Sequence, residues 1–378
     1  FQHYFRTGNS LDLKYRTGGL EIFANYGWWR GNTRFNRLND MYTTTSKGTY
    51  RQFVSTIGKE SYNDMTGKLG FSYMINDLHS IGAYYQNSWN RHNTDGTIPS
   101  EIWQDGILLD LYNSDVHNQS TAVPRHYANI YYNGIVGKLN IDFNADYIWY
   151  KSRELTFNNE LSEMGNDREV NSSSINRNRM FAEILVMTYP LWKGQIEIGE
   201  EYTNTRTTNL FSANIPETPN ADNRVDENNI AVFAELGQQF GRFMIGAGLR
   251  YEHVKFNYYE MGLLRDGQSK TYNNIFPSLN IATEVGKVRM GLNYTGKTIR
   301  PGYDQLDGAI SYINRLTYET GNPYLKPTKL QTVEYMAQWR RFFAQLSYTY
   351  FKDGVYHITE PYGPDGEATI IRTANLNH

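Results

Sequence analysis

Oxygen-bearing side chains able to bind a hard cation lie close together in one stretch of the 378-residue sequence. Divalent cations such as Ca²⁺ are held by several carboxylate and amide oxygens, so this cluster is a candidate metal site. The alternative is an acidic loop that is simply hydrated. The candidate donors are Asn220, Asp222, Asn223, Asp226 and Glu227, of which Asp222, Asp226 and Glu227 are the predicted metal ligands.

A second candidate site combines aromatic and cationic side chains near the start of the sequence. Indole rings and guanidinium groups together stack on sugars or hold the acidic groups of a ligand. Anchoring of the indole rings at a membrane surface is an alternative, and it explains only the Trp residues. The predicted ligand-binding residues are Trp28, Trp29, Arg30, Arg34 and Arg37.

The sequence patterns of common enzyme active sites are missing from the chain. The eight His are dispersed, and no H-E-x-x-H motif, G-x-S-x-G motif or phosphate-binding loop occurs. Because the chain has no Cys, it has no disulfide and no thiolate metal site. A net charge of -2 argues against nucleic acid as a partner. We therefore expect no enzymatic activity and no cofactor, with a loop site around His92 and Asp95 as the alternative.

The element that would position such side chains is clearest in residues 139–150, LNIDFNADYIWY. Apolar and polar residues alternate there, and side chains on a β-strand alternate between its two faces. One face, from Leu139 to Trp149, is therefore apolar, and the other carries Asn and Asp. A strand of about a dozen residues with an aromatic end is typical of a membrane-spanning β-barrel.

The apolar pattern also predicts how neighbouring strands pair. With a turn at residues 136–137, Tyr132 lies opposite Ile141. In a later hairpin, Val232 lies opposite Leu249. A slip by one residue would exchange the two faces of a strand, so the pattern restricts the register.

Short turns and long polar segments alternate along the whole chain. The polar segments, such as residues 30–63 and 90–125, are predicted to be long loops. Aromatic residues mark both ends of the predicted strands, with Trp149 next to a long loop and Trp339 at a short turn. This layout predicts an all-β fold, an antiparallel transmembrane β-barrel with short periplasmic turns and long extracellular loops. A soluble β-sandwich is the alternative, but it would have shorter strands.

The polar face of each predicted strand would line the interior of such a barrel. In an open pore these residues would set the ion selectivity. The predicted lumen-facing residues are Asn140, Asp142, Asn144, Asp146, Glu235, Arg250, Glu252, Arg289, Asn293, Glu334 and Gln345.

About fifteen strands can be counted in the sequence, the last near residues 369–376. An odd, unclosed set of strands would leave edges whose backbone groups hydrocarbon cannot satisfy. The chain also starts at Phe1 without an initiator Met or a signal peptide. We therefore expect residues 1–378 to form a partial transmembrane β-barrel, with its last strands outside this sequence.

Four short motifs, between residues 230 and 351, resemble those of TonB-dependent outer-membrane receptors. The chain is similar to that family in FPSLNI at 276–281, TIRPGY at 298–303, GLRYE at 248–252 and GNPYLKPT at 321–328. Thr328 stands where the family usually has an acidic residue. The group of outer-membrane β-barrels found behind a carboxypeptidase-regulatory-like domain is the most similar variety.

The resemblance implies a 22-stranded barrel in the outer membrane of a Gram-negative bacterium. It also implies an N-terminal plug inside the barrel and a TonB box that couples import to inner-membrane energy. Neither plug nor TonB box is present in this sequence. The implied partners are outer-membrane lipid, the plug, TonB and a scarce ligand: an iron chelate, a glycan, a peptide or a vitamin. The alternatives are a passive porin-like channel and a surface adhesin.

Overall fold

A computed structural model describes residues 5–45, 47–364 and 366–376, and in these ranges the chain is built from β-strands and turns. They contain no helix long and apolar enough to cross a bilayer. The strands are β1 (Arg6–Thr17), β2 (Leu20–Thr45), β3 (Gly48–Asn76), β4 (His79–Gln104), β5 (Ile107–Val136), β6 (Leu139–Ser162), β7 (Arg168–Leu191), β8 (Gly194–Ala213), β9 (Ala221–Phe240), β10 (Phe243–Glu260), β11 (Leu263–Leu264), β12 (Lys270–Val285), β13 (Val288–Ile299), β14 (Ile310–Asn314), β15 (Thr317–Thr320), β16 (Thr328–Trp339), β17 (Phe342–Lys352), β18 (Gly354–Tyr362) and β19 (Ala368–Leu376).

Fifteen of these strands form one antiparallel sheet. Its order follows the chain from β1 to β10 and continues through β12, β13 and β16 to β17, while β11 pairs with β10. Neighbours in sequence are thus neighbours in space, as in a meander. The predicted all-β, antiparallel architecture is confirmed.

Two-residue turns join the strands at one end of this sheet. Gly18, Gly137, Gly241 and Gly286 each begin such a turn with a positive φ, between 53° and 63°. Two-residue hairpins need this left-handed conformation, which Gly adopts without a Cβ clash. The predicted short turns are therefore present at one end of the sheet.

The register predicted for two hairpins is wrong by two residues. Tyr132 pairs with Phe143 rather than with Ile141, and Val232 pairs with Tyr251 rather than with Leu249. A shift by two residues keeps every side chain on its face, so the apolar pattern cannot detect it. The turn decides instead, since the left-handed Gly137 opens the turn and pairs the residue before it with Leu139.

The polar segments predicted to be loops are mostly paired strands. Residues 30–63 continue β2 and β3, and residues 90–125 continue β4 and β5. Polar side chains stabilise these pairs across the strands, as between Arg51 and Asp40 at 2.8 Å. With 30 residues, β5 is far longer than the roughly 9–11 residues that cross a bilayer.

The main sheet can therefore be divided into two parts along its strands. The short-turn half comprises residues 6–29, 64–89, 126–149, 179–202, 230–252, 275–299 and 328–352. The extensions comprise residues 30–45, 47–63, 90–125, 150–178, 203–229 and 253–274.

A second, four-stranded sheet has the order β14–β15–β19–β18, with β15 and β19 parallel. The segment counted from sequence as the last barrel strand is β19, so its assignment to the main sheet is wrong. Asp353 has a left-handed φ of 58° where β17 ends, and β18 pairs with β19 instead. The second sheet and the chain before it cover one face of the extensions. The buried cluster between them contains Val225, Phe256, Tyr258, Leu306 and Leu325, with Tyr303 and Val355 packed against it.

Candidate functional site

Strand register carries one polar face across the sheet from β6 to β17. Residues directly opposite each other on antiparallel strands project to the same side. Such pairs include Glu235 with Gly248 and Asn293 with Glu334. Followed strand by strand, the register places eleven predicted residues on this side, named here the polar face: Asn140, Asp142, Asn144, Asp146, Glu235, Arg250, Glu252, Arg289, Asn293, Glu334 and Gln345.

Hydrogen bonds cross the strands along the polar face. The amide of Asn129 donates to Asp146 Oδ1 at 2.6 Å, and Tyr127 donates to the same oxygen at 2.7 Å. At the other end of the sheet, Gln345 donates to Glu334 at 2.8 Å. These contacts satisfy the polar groups and fix their directions.

Ion pairs gather where the polar face passes from the short-turn half into the extensions. Arg300 contacts Glu252 at 2.7 Å and Glu227 at 3.2 Å, and Arg250 lies 3.8 Å from Glu252. Burial raises the pKa of Glu227, which lies in the extensions, although Arg300 acts in the opposite direction. Charges taken out of water in this way must be paired, because an unpaired buried charge is strongly destabilising.

The polar face continues into the extensions and lines a cavity of about 880 Å³. Residues 303–313, named here the covering segment, and the second sheet close its other side. The lining residues on the polar face include Asn118, Tyr150, Ser152, Glu154, Thr156, Ser172, Ser174, Asn176, Thr207, Asn209, Phe211, Asn223, Val225 and Tyr258. The lining residues on the covering side include Tyr303, Asp304, Gln305, Leu306, Asp307, Ala309, Ser311, Tyr312, Ile313, Glu319, Thr320, Gly321, His357 and Thr373.

Amide and hydroxyl groups form a ladder across the floor of this cavity. Asn209 donates to Asn176 Oδ1 at 2.7 Å and to Ser174 Oγ at 3.1 Å, and Asn118 donates to Glu154 at 2.6 Å. The Oδ1 atom of Asn209 is buried and has no hydrogen-bond partner among the described residues. A buried acceptor left in this state is unusual, because nearly all such atoms are paired.

Close backbone packing holds the covering segment in place. Asp307 accepts from the Asn223 amide at 2.7 Å and from the Ala309 N–H at 3.1 Å. Burial raises the pKa of Asp307, which lies in the covering segment and outside the membrane-spanning strands. A Cβ on Gly321 would lie 2.3 Å from the Asp307 carbonyl oxygen and 2.6 Å from that of Gln305. Only Gly allows this approach.

A buried charge cluster joins the second sheet to the extensions. Arg315 contacts Glu160 at 2.8 Å and Asp110 at 3.3 Å, and it donates to the Asn166 carbonyl at 2.8 Å. Tyr312 donates to Glu160 at 2.6 Å. The Glu160 side chain is 0% exposed, so these bonds replace all of its hydration. The cluster fixes the position of the second sheet above the cavity.

The predicted aromatic and basic site is not assembled as one surface. Consecutive strand residues project to opposite faces, so Trp28, Arg30 and Arg34 lie on one side of β2. Trp29 and Arg37 lie on the other side. Trp28 also donates its indole N–H to Asn63 at 2.7 Å.

The predicted cation site is also wrong in its geometry. Asp226 and Glu227 are neighbours on β9 and project to opposite faces. Asp226 pairs with Arg206 at 2.7 Å, Glu227 pairs with Arg300, and Asp222 is exposed. Within the described ranges, no group of three or more acidic or His residues is arranged to hold a metal ion.

The cavity itself was missed in the sequence because its floor falls in segments predicted to be loops. A signal was present, since Ser152, Glu154 and Thr156 continue the polar alternation of residues 140–146 on the same strand. The other half of the lining comes from the covering segment and the second sheet. The sequence shows no periodic pattern that predicts how these residues fold onto the main sheet.

Residues 136–378 match the family model described as outer membrane protein beta-barrel family. No curated protein matches the chain. The alcaligin outer membrane receptor FauA of Bordetella pertussis has a similar structure, with a TM-score of 0.46, 10% identity, and coverage of 99% of this chain and 56% of that chain. The ferric enterobactin receptor PfeA of Pseudomonas aeruginosa is also similar, with a TM-score of 0.48, 12% identity, and coverage of 99% of this chain and 58% of that chain. The chain thus spans a little over half the length of these two proteins.

Proposed function

The chain belongs to the outer membrane protein β-barrel family and is a protein of the Gram-negative outer membrane, and from this premise we propose that it is the barrel of a TonB-dependent importer. The importer captures a scarce ligand at the cavity in the extensions and passes it through the barrel lumen. The short turns lie on the periplasmic side, and the extensions reach into the external medium.

The observation that carries this proposal is the continuity of the polar face. It runs from the short turns through the ion pairs around Arg300 to the cavity. A barrel that transports a polar ligand needs an outward apolar band and a polar interior. The eleven residues on the polar face supply that interior, and the cavity supplies a place for capture before passage.

Residues 1–378 are proposed to be part of a larger barrel whose remaining strands and plug lie outside this sequence. In hydrocarbon, each strand edge must be paired because water is absent. In this arrangement the residues of the polar face contact the plug through hydrogen bonds and ion pairs. Such contacts are polar and reversible, as movement of the plug during import requires.

Electrical conductance distinguishes a plugged importer from a passive channel. The native full-length protein is inserted in planar lipid bilayers and recorded before and after urea is added. We expect no steady conductance at first and open channels in urea, when the plug unfolds. Steady open channels without urea would contradict the proposal and favour a passive porin. A barrel that stays closed in both conditions would favour a surface adhesin.

A further inference from the structure

We propose that the cavity in the extensions binds a neutral, polyhydroxylated ligand such as a short oligosaccharide. This inference rests on the proposed import function and names the class of ligand. The cavity, at about 880 Å³, is within the range of about 300–1,000 Å³ that is usual for small-ligand sites.

The charges of the lining exclude a polyanionic ligand. Carboxylates of Glu154, Asp304, Asp307 and Glu319 face the cavity, and no Lys or Arg is among the described lining residues. Apart from His357, no lining side chain can carry a positive charge. A chelate rich in negative charge would meet like charges here, which is costly in a partly dehydrated site.

Arginines near the cavity are already committed to other partners: Arg168, which lies over the Tyr312 ring, pairs with Glu217 at 2.9 Å. Arg300 pairs with Glu227 and Glu252, and Arg315 pairs with Glu160 and Asp110. Turning either guanidinium toward a ligand would leave a buried carboxylate unpaired. These arginines therefore shape the cavity without supplying it with positive charge.

The hydrogen-bonding groups of the floor match sugar hydroxyls. Each amide and hydroxyl of the ladder offers both a donor and an acceptor, and sugar hydroxyls offer the same combination. Asn209 Oδ1 still lacks a donor, although the amide group of that residue is already engaged. Because this oxygen is buried, a ligand hydroxyl reaches it only when the Asn209 side chain turns toward the cavity. A cationic ligand would have to compete with Asn118 for Glu154 and with Asn223 for Asp307, since both carboxylates already accept amide hydrogen bonds.

Tyrosines supply the apolar contacts that the C–H faces of a sugar ring need. Tyr150, Tyr303 and Tyr312 all face the cavity. An aromatic ring offers a flat apolar surface together with a polar edge. Burial raises the pKa of Tyr303 to about 12, so its phenol stays protonated and able to donate at neutral pH.

Binding to a printed array of neutral glycans, maltotetraose, cellotetraose and chitotetraose among them, tests the inference with the native full-length protein in detergent. Ferric enterobactin and tetralysine serve as anionic and cationic comparison probes. We expect binding to at least one neutral glycan. Asn209→Ala and Ser174→Ala should each weaken it about tenfold, because each removes a hydrogen-bonding side chain from a partly dehydrated site. Asn204→Ala is the matched control, since it removes an exposed amide from the opposite face of β8, the strand that carries Asn209.

Each outcome of this experiment decides the ligand class. Glycan binding that falls in the two cavity variants and not in Asn204→Ala supports a neutral, polyhydroxylated ligand. No binding to any neutral glycan overturns it, as does ferric enterobactin or tetralysine binding that the cavity variants weaken. In that last case the receptor function survives with another ligand. The bilayer recordings decide the receptor function independently of any ligand.

Discussion

In the short-turn half, apolar and polar side chains alternate along each strand, whereas in the extensions polar side chains occur on both faces. Within β6, the neighbours Phe143 and Asn144 lie on opposite faces, one apolar and one polar. Ten residues further on, Arg153 and Glu154 also lie on opposite faces, but both are charged. The first region is built for lipid on one side and the second for water. In the extensions, order therefore comes from cross-strand hydrogen bonds, ion pairs and the second sheet.

Loss of the central charge cluster of the extensions should have the largest effect. Arg315→Ala leaves Glu160 buried without its charge partner, so we expect a loss of about 3–5 kcal/mol in the free energy of unfolding. The measurement is urea unfolding in lipid vesicles. Arg51→Ala is the control, because its pair with Asp40 is exposed to water and should contribute little to stability. Equal losses would show that the second sheet is not held by this cluster.

The two faces of the short-turn half are separated by a pair of substitutions on β6. Phe143→Lys places a charge on the lipid side near the middle of the bilayer, and we expect a cost of about 2–4 kcal/mol. Asn144→Lys places it on the polar face, where the cost should be much smaller. Vesicle folding titrations measure both variants. Similar costs would contradict the assignment of faces.

The close approach of the covering segment is tested at Gly321. Gly321→Ala forces two backbone segments apart, and we expect a destabilisation of about 1–3 kcal/mol from this overpacking. Gly267→Ala is a matched control, because its Cβ would meet its nearest neighbour at 3.8 Å, an ordinary contact. A stability in Gly321→Ala equal to that of the control would argue against the close approach of residues 304–307 to Gly321.

The pH dependence of stability gives the smallest expected effect and has opposite signs at two aspartates. Burial raises the pKa of Asp307. The contribution of this side chain to the stability of the fold is therefore fully present below the ordinary pKa range of Asp, and it is lost as pH rises through the raised pKa. Asp307→Asn keeps both accepted hydrogen bonds and should remove this loss.

Asp40 provides the comparison, because its hydrogen bonds with Arg51 lower its pKa. The contribution of Asp40 to stability is present above the ordinary pKa range of Asp and is lost as pH falls through the lowered pKa. Unfolding curves of the wild type, Asp307→Asn and Asp40→Asn between acid and neutral pH check both signs. The same pH response in all three proteins would contradict both.

The sequence predicts faces better than it predicts partners or ends of strands. The face to which each side chain projects follows from the alternation of apolar and polar residues. The sequence alone therefore predicts that the eleven polar-face residues project away from the apolar side of their strands. Pairing partners such as Tyr132 and Phe143 depend on the turn at Gly137, where a shift by two residues leaves the pattern intact. In the extensions the apolar alternation weakens, because water on both sides removes the reason for it. Contacts such as that of Arg315 with Glu160 join segments that are distant in the sequence, and no periodic pattern predicts them.

The central claim is that the polar face lines a water-filled lumen, and the chain offers a direct test because it has no Cys. Single substitutions Asp142→Cys, Phe143→Cys, Asn144→Cys, Ala145→Cys and Asp146→Cys would be made in the native full-length protein, with any Cys outside residues 1–378 first replaced by Ser, and folded into lipid vesicles. Each variant is then exposed to a charged, water-soluble maleimide. We predict fast labelling at 142, 144 and 146 and little at 143 and 145. Uniform labelling, or faster labelling at 143 and 145, would contradict the account.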